Sequence, residues 1–289
     1  MEASSHRSKK WLVVGSAGML GQDMVRVLEL SGHDVSGVTR SELDVTDPSS
    51  AEAGVAGFDV VVNCAAWTAV DDAEAREGEA FAINAVGAAN LAKASARTGA
   101  RLVQISTDYV FAGSATVPYG EDQAVAPRSA YGRTKAAGEW AVLAASAGHL
   151  VVRTAWLYGA GGPCFPRTMA RLARERDELS VVADQVGQPT WTVDVADLVL
   201  RLVDSDAPGG VYHGTSAGET SWFDFTRAIV ESIGASVSVV PTTSEAFVRP
   251  APRPAYSVLS HGALEAVGVA AIGDWSERWQ RASAEVLGA

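Results

Sequence analysis

Trp11-Leu12-Val13-Val14-Gly15-Ser16-Ala17-Gly18-Met19-Leu20-Gly21 is the stretch on which the reading of this chain turns. The apolar run WLVVG stops at a glycine and has the length of a buried strand. Behind it Met19, Leu20, Met24, Val27, Leu28 and Leu30 recur at helical spacing, and Gly32 closes the helix. In a chain with 28 glycines the GxxGxxG spacing alone says little. Its position between a strand and a helix says more. Backbone N–H groups at a helix start, with the helix dipole behind them, hold a pyrophosphate, and small residues let the phosphate approach closely.

Outward from this loop the same rhythm repeats. Asp34–Val38, Asp59–Asn63, Arg101–Ser106 and Leu150–Thr154 are further apolar strand signals. They are separated by the polar stretch Thr39–Ser50 and by helical patterns over Glu79–Thr98 and Ser129–Ser146. Strands that are apolar throughout, instead of alternating, belong to a parallel sheet covered on both faces. The fold class expected is therefore α/β, a doubly wound parallel (Rossmann) sheet.

Beyond Thr154 the rhythm loosens, with helices expected over Phe165–Arg176, Val193–Asp204, Trp222–Ile233 and Trp275–Leu287 and short strands over Leu179–Ala183 and Val211–His213. Pro241–Pro254 (PTTSEAFVRPAPRP) is expected to lack regular interior structure, because its prolines lack ladder donors. The 289 residues then divide into a dinucleotide-binding domain over 1–155, joined by 192–215, and a smaller substrate-binding domain over 156–191 and 216–289.

Charge narrows the function. With 23 Lys+Arg against 34 Asp+Glu, the formal net charge of -11 repels phosphate backbones and anionic lipid, so neither nucleic acid nor a membrane surface is expected as partner. Two cysteines, Cys64 and Cys164, are too few for a disulfide scaffold. The start Met1–Lys10 is polar and basic, the apolar run behind it is too short for a signal segment, and no run is long enough to span a bilayer. A soluble, cytoplasmic protein is expected, as monomer or homodimer.

At the end of the second strand a dinucleotide fold reads the adenosine ribose, with an acidic residue for a free 2′-hydroxyl or an arginine for a 2′-phosphate. Here Thr39 and Arg40 precede any carboxylate, which favours NADPH, with NADH the lesser alternative. Lysine occurs only at Lys9, Lys10, Lys93 and Lys135, in a chain that otherwise uses arginine, so a lysine in mid-chain asks for a chemical reason. Tyr131 and Lys135 lie four apart near a helix start and share a face. A cation beside a phenol lowers its pKa toward working pH and makes it a better acid. Thr107, just past the fourth strand, is placed to bond the same substrate oxygen.

Taken together, GSAGMLG, LDVTD (Leu43–Asp47), NCAAWTAVDDAE (Asn63–Glu74), INA (Ile83–Ala85), STDYVF (Ser106–Phe111), YGRTK (Tyr131–Lys135), RTAWLYG (Arg153–Gly159) and VADQVGQPT (Val182–Thr190) resemble, nearly end to end, the dTDP-4-dehydrorhamnose reductase subfamily of extended short-chain dehydrogenase/reductases. The resemblance implies that Gly15, Ala17, Gly18, Met19, Leu20 and Gly21 form the phosphate turn, and that Arg40, Asp44, Val45, Ala65, Ala66, Thr68 and Asn84 line the rest of the cofactor. It implies Thr107, Tyr131 and Lys135 as the catalytic set, with Tyr131 and Lys135 also touching cofactor. Thr107, Asp108, Tyr109, Trp156 and Arg253 would meet the substrate, a dTDP-4-dehydro sugar. Hydride from NADPH would then reduce the C4 keto group of dTDP-4-dehydro-L-rhamnose, with Tyr131 as proton donor. Some relatives hold Mg²⁺ at a dimer contact, but Asp23 and its neighbours show no ligand spacing, so no metal is expected.

One departure stands out. Tyr256 replaces the asparagine that follows the family's late Arg-Pro, in a segment expected to touch substrate. A dehydratase would need Asp-Glu after the threonine, where this chain has Asp108-Tyr109. The alternatives left are a 4-ketoreductase, dihydrostreptose-type synthase or epimerase on another dTDP-deoxysugar, and a non-catalytic NADP-binding regulatory subunit, against which the intact Thr107, Tyr131 and Lys135 argue.

Overall fold

A computed structural model describes residues 8–288; the beginning of the polar, basic start, residues 1–7, lies outside the described residues. The first half runs β1 (Lys10–Val14), α1 (Met19–Leu30), β2 (Asp34–Val38), α2 (Pro48–Val55), β3 (Val60–Asn63), α3 (Val70–Ala75), α4 (Glu77–Phe81), a π-helical turn (Ala82–Gly87), α5 (Ala88–Thr98), β4 (Arg101–Thr107), α6 (Ala130–Ala145) and β5 (Leu150–Thr154). The second runs β6 (Leu157–Tyr158), α7 (Phe165–Glu175), β7 (Glu178–Val182), β8 (Val186–Gly187), β9 (Thr190–Trp191), α8 (Thr192–Asp204), β10 (Gly210–His213), β11 (Thr220–Ser221), α9 (Trp222–Ser232), β12 (Ser238–Thr242), α10 (Gly262–Ala266) and α11 (Trp275–Leu287).

Six parallel strands form the main sheet in the order β10-β5-β4-β3-β1-β2. Because side chains alternate along each strand, the apolar runs divide into two cores. Trp11, Val13, Val62, Val103 and Val152 pack with Met24 and Leu28 of α1 and Leu198 and Leu202 of α8. Leu12, Val14, Val61, Leu102 and Val151 pack on the other face with Ala51 and Val55 of α2, Leu91 of α5 and Val142 of α6. The parallel α/β class read from continuous apolar strands is the class observed. The order reverses beside β1, so the carboxyl ends of β1 and β3 bound a crevice of the kind where such sheets bind ligands.

After β5 the chain forms two-stranded pairs, β7 with β12, β8 with β11 and β6 with β9, and an aromatic core of Tyr158, Trp191, Phe225 and Trp279. Residues of α8 and β10 return to the main sheet, where β10 lies beside β5.

Several local expectations are corrected. The helix read over Glu79–Thr98 is interrupted by the π turn. The polar stretch after β2 hides the start of α2, capped by Asp47, which accepts from Ser49 N–H at 2.9 Å, with Pro48 at its first position. Pro241 sits inside β12, within the stretch expected to be irregular. Ser238 N–H and Thr242 C=O, an even step apart, both bond toward the β7 side, so Pro241 points its missing donor away from the ladder. Both cysteines are free, and no helix among the described residues is long and apolar enough to cross a membrane.

Candidate active site

The turn after β1 is closed by contacts that leave no room for side chains. Gly15 has φ +81°, and a Cβ there would lie 2.7 Å from the Ala65 backbone nitrogen; one on Gly21 would lie 2.2 Å from the Gly15 carbonyl oxygen. Helix α1 starts at Gly18 with no side-chain cap and no acidic residue in its first turn. Its leading N–H groups are thus unclaimed by any side chain, the arrangement that receives an anion.

Beside this turn lies a cavity of about 310 Å³ lined by Gly15, Gly18, Arg40, Asp44, Val45, Ala65 and Ala66, with Cys64 and Ile83. Seven of the residues singled out for a cofactor therefore meet in one place, though they come from three separate loops. Asp44 is turned onto its own loop, accepting from Thr46 N–H at 2.9 Å and Thr46 Oγ–H at 2.7 Å, which holds its carboxyl below the ordinary range. Glu42 is likewise spent on Thr39, accepting from its N–H at 2.8 Å. That leaves exposed Arg40 as the charged side chain lining the cavity that is not tied back by a hydrogen bond of its own loop.

Ala17, Met19, Leu20 and Gly21 continue the same turn, but Leu20 points its side chain into the core. Thr68 is exposed and does not line this cavity. Asn84, in the π turn, is fully engaged within the protein. It accepts from Trp67 N–H at 2.8 Å and donates to Trp67 O at 3.1 Å and Thr134 Oγ1 at 3.0 Å. It braces the loop after β3 against α6 and has no donor left for a ligand.

On the reaction side, Thr107 ends β4, accepts from Tyr109 N–H at 3.2 Å and donates to Asp108 Oδ1 at 2.9 Å. Ser129 caps α6 by accepting from Gly132 N–H at 3.1 Å, which puts Tyr131 in the first turn and Lys135 one turn on. Lys135 is 4% exposed and donates from Nζ to the Ile105 carbonyl at 2.5 Å. Cys64, which lines the cavity above, is among the groups acting electrostatically on Lys135. Half-buried Tyr131 meets Tyr109 edge-on, with ring centroids 5.6 Å apart.

The expectation that Lys135 lowers the Tyr131 pKa is not met. Burial pushes the phenol up to about 12, and the Thr107 hydroxyl is what opposes the rise. Burial also pushes the Lys135 ammonium down to about 8, with the Glu139 carboxylate holding it up. The ammonium is directed to the Ile105 carbonyl instead of the phenol, so desolvation of each group dominates. Burial likewise raises Asp108 to about 6, with Ser257 and Thr107 pulling the other way.

A second cleft, of about 410 Å³, takes Tyr109, Trp156 and Arg253 from the expected substrate set and adds Phe165, Met169, Arg176, Gln185, Trp222, Phe247 and Arg249. Trp156 adopts φ +47°, rare for a bulky residue, and stacks on Trp222 at 3.5 Å with 7° between planes. Gly187 lies beneath, where a Cβ would meet the indole at 2.5 Å. Arg253 pairs with Asp71 of α3 at 2.9 Å, tying the late Pro-rich segment to the first half of the chain. Thr107 and Asp108 do not line this cleft themselves. Arg176, Trp222 and Arg249 were not foreseen and no local motif marks them; Gln185 lies within VADQVGQPT but was given no role there, and tertiary packing brings the four together.

Tyr256 does not reach the cleft. Its hydroxyl donates to Glu219 Oε2 at 2.9 Å, while its buried neighbour Ser257 faces Asp108. The segment is extended, with backbone bonds to Gly113 and Val186, so adjacent side chains point to opposite sides. Among the described residues no group of three or more His, Cys, Asp or Glu could hold a metal ion, and Asp23 pairs with Arg26 at 2.9 Å.

Comparison with known proteins adds four findings. The profile of the family described as RmlD substrate binding domain matches residues 9–287. A Streptomyces antibioticus protein named probable dTDP-4,6-dihydroxy-2-methyloxan-3-one 4-ketoreductase is 46% identical over 97% of this chain and 96% of its own. The dTDP-4-dehydrorhamnose reductase of Streptomyces griseus is also 46% identical, over 94% of this chain and 92% of its own. Among solved structures, a dTDP-4-dehydrorhamnose reductase from Bacillus anthracis in complex with NADP has a TM-score of 0.92 at 37% identity, covering 96% of this chain and 99% of that one.

Proposed function

The chain belongs to the RmlD substrate binding domain family, and on that premise we propose that it is an NADPH-dependent reductase of the C4 keto group of dTDP-4-dehydro-L-rhamnose, yielding dTDP-L-rhamnose. The observation that carries this reading is a tyrosine–lysine pair between two cavities. Lys135 feels Cys64 of the glycine-lined one, and Tyr131 touches Tyr109 of the aromatic one. We assign the first cavity to a dinucleotide-binding unit, residues 1–155 with 192–215, and the second largely to the remainder.

NADPH, when bound, supplies the hydride. Gly15, Gly18 and Gly21 with the N–H groups at the start of α1 would hold its pyrophosphate, Arg40 its 2′-phosphate, and Val45, Ala65 and Ala66 its flat apolar surfaces. Tyr131 is held protonated well above neutral pH, so it carries a proton to give to the developing alkoxide. Thr107 orients the carbonyl, and Lys135 supplies positive charge at the site, where electrostatic stabilisation of the alkoxide is worth most. The Trp156–Trp222 wall and Arg176, Arg249 and Arg253 suit a flat base and a diphosphate.

The test is NADPH oxidation with enzymatically generated dTDP-4-dehydro-L-rhamnose, the product identified by NMR. Rapid oxidation to dTDP-L-rhamnose is expected, and Tyr131→Phe should lose about 10²–10⁴-fold in turnover while keeping NADPH affinity. Tight NADPH binding with no turnover on any 4-keto sugar would refute the reading. A second reading, a 4-ketoreductase for another dTDP-deoxysugar, is favoured by the equal similarity of the Streptomyces antibioticus relative. Turnover confined to a different keto sugar would establish it.

A further inference from the structure

Behind the Tyr131/Lys135 face lies a buried ionic cluster with no role in the scheme above. Glu139, one turn beyond Lys135 on α6, is 1% exposed. Arg153 of β5 grips it with two bonds, Nε to Oε1 at 2.9 Å and Nη2 to Oε2 at 2.7 Å. Ser106 of β4 donates its hydroxyl to Oε1 at 2.5 Å. Ser106 sits between Ile105, whose carbonyl accepts from Lys135, and Thr107. One carboxylate thus ties α6 to β4 and β5 where all three candidate catalytic side chains originate.

A buried ion pair is a poor source of stability in itself, since desolvation of two charges offsets most of their attraction. This one is also well satisfied: the remaining Arg153 nitrogen, Nη1, reaches the Glu121 carbonyl and His213 Nε2, each at 3.4 Å, and Phe111 lies under the guanidinium at 4.9 Å. The arrangement makes sense if Glu139 serves two cations, Arg153 and Lys135.

We infer that Glu139 is a positioning residue that holds Lys135 as an ammonium and, with Arg153 and Ser106, fixes the end of β4 against α6. The inference rests on the reading of Lys135 as a charged member of the site. The groups around Lys135 leave Glu139 as its counter-ion. Its own helix offers Glu139 and the protonated Tyr131, β4 the Ile105 carbonyl and Ser106 hydroxyl, and the segment after β3 the neutral Cys64 thiol. Arg153 of β5 is spent on Glu139. From the π turn Asn84 bonds Thr134, while Glu74 of α3 and Glu77 of α4 are occupied by Ala130 N–H and Arg133.

With four lysines in the chain, ¹³C labelling at the lysine ε carbon resolves each one by NMR, and loss of a signal in Lys135→Met assigns Lys135. In Glu139→Gln the Lys135 titration midpoint should fall by about one pH unit, because a negative neighbour has gone, while Lys9, Lys10 and Lys93 stay put. The alkaline limb of kcat/KM for keto-sugar reduction should move down with it. As Glu139→Gln leaves a buried guanidinium unpaired and risks misfolding, Glu139→Gln/Arg153→Met is titrated alongside and should show a smaller fall, because the more distant positive neighbour has gone as well. An unmoved or raised midpoint in the folded double variant overturns the inference. A lowered midpoint in a protein that reduces no keto sugar supports the charge pairing and refutes the assigned reaction.

Discussion

At position 40 the proposed preference for NADPH rests on one side chain. Glu42, the nearest carboxylate downstream that could bind a free ribose 2′-hydroxyl, is tied to Thr39, and Asp44 is tied to Thr46, so Arg40 keeps its charge available at the cavity. Arg40→Ala should raise KM for NADPH about tenfold, roughly 1.4 kcal/mol, and hardly change KM for NADH. Parallel rises would mean that Arg40 contacts a part both cofactors share. Tyr131 shows where reading at this scale fails. The pair spacing was legible in YGRTK, but the direction of the phenol's shift was not, because desolvation depends on everything packed around the ring.

For the elements, the interruption of the Glu79–Thr98 helix matters most. The π turn sets Asn84 facing both the Trp67 backbone and Thr134, one residue before Lys135. Such turns recur at functional sites because the extra residue per turn re-aims a side chain. Helix α6 approaches this turn so closely that a Cβ on Gly138 would lie 2.3 Å from the Asn84 carbonyl oxygen. Gly138→Ala pits Cβ against backbone and has to push the two helices apart. A loss of ~1–3 kcal/mol in denaturant unfolding is expected, with reduced turnover because Tyr131 and Lys135 ride on the displaced helix. A stability equal to wild type would show that the interface yields without cost. Apolar periodicity reported the helical region but could not report the break, since α and π turns bury much the same face.

The whole molecule carries its polar interior into its pH response. His149, His213 and His261 are all held below their ordinary pKa by burial, His213 at about 3. An unfolded histidine binds a proton near pH ~6.5 and the folded ones resist it. Their contribution to stability is therefore full above that value and is lost as pH falls from there toward the folded values. Raised Asp108 acts oppositely, but it is common to wild type and to a His213 variant. His213→Gln should thus lose less stability than wild type between about pH 7 and 5, measured as the change in thermal midpoint. Equal slopes would mean that His213 takes up its proton without resistance in the folded chain.

What the amino-acid order determined by itself was local: continuous apolar strands, a glycine turn between strand and helix, and Tyr131 and Lys135 one turn apart. Each depends only on the short-range geometry of the backbone, which repeats wherever the pattern does. Tertiary structure decided which distant pieces meet. It stacked Trp156 on Trp222, latched Arg253 to Asp71, buried Glu139 against Arg153 and turned Tyr256 away from the cleft. These contacts join residues far apart in the chain, and packing density and desolvation select them, neither of which exists until the layers close.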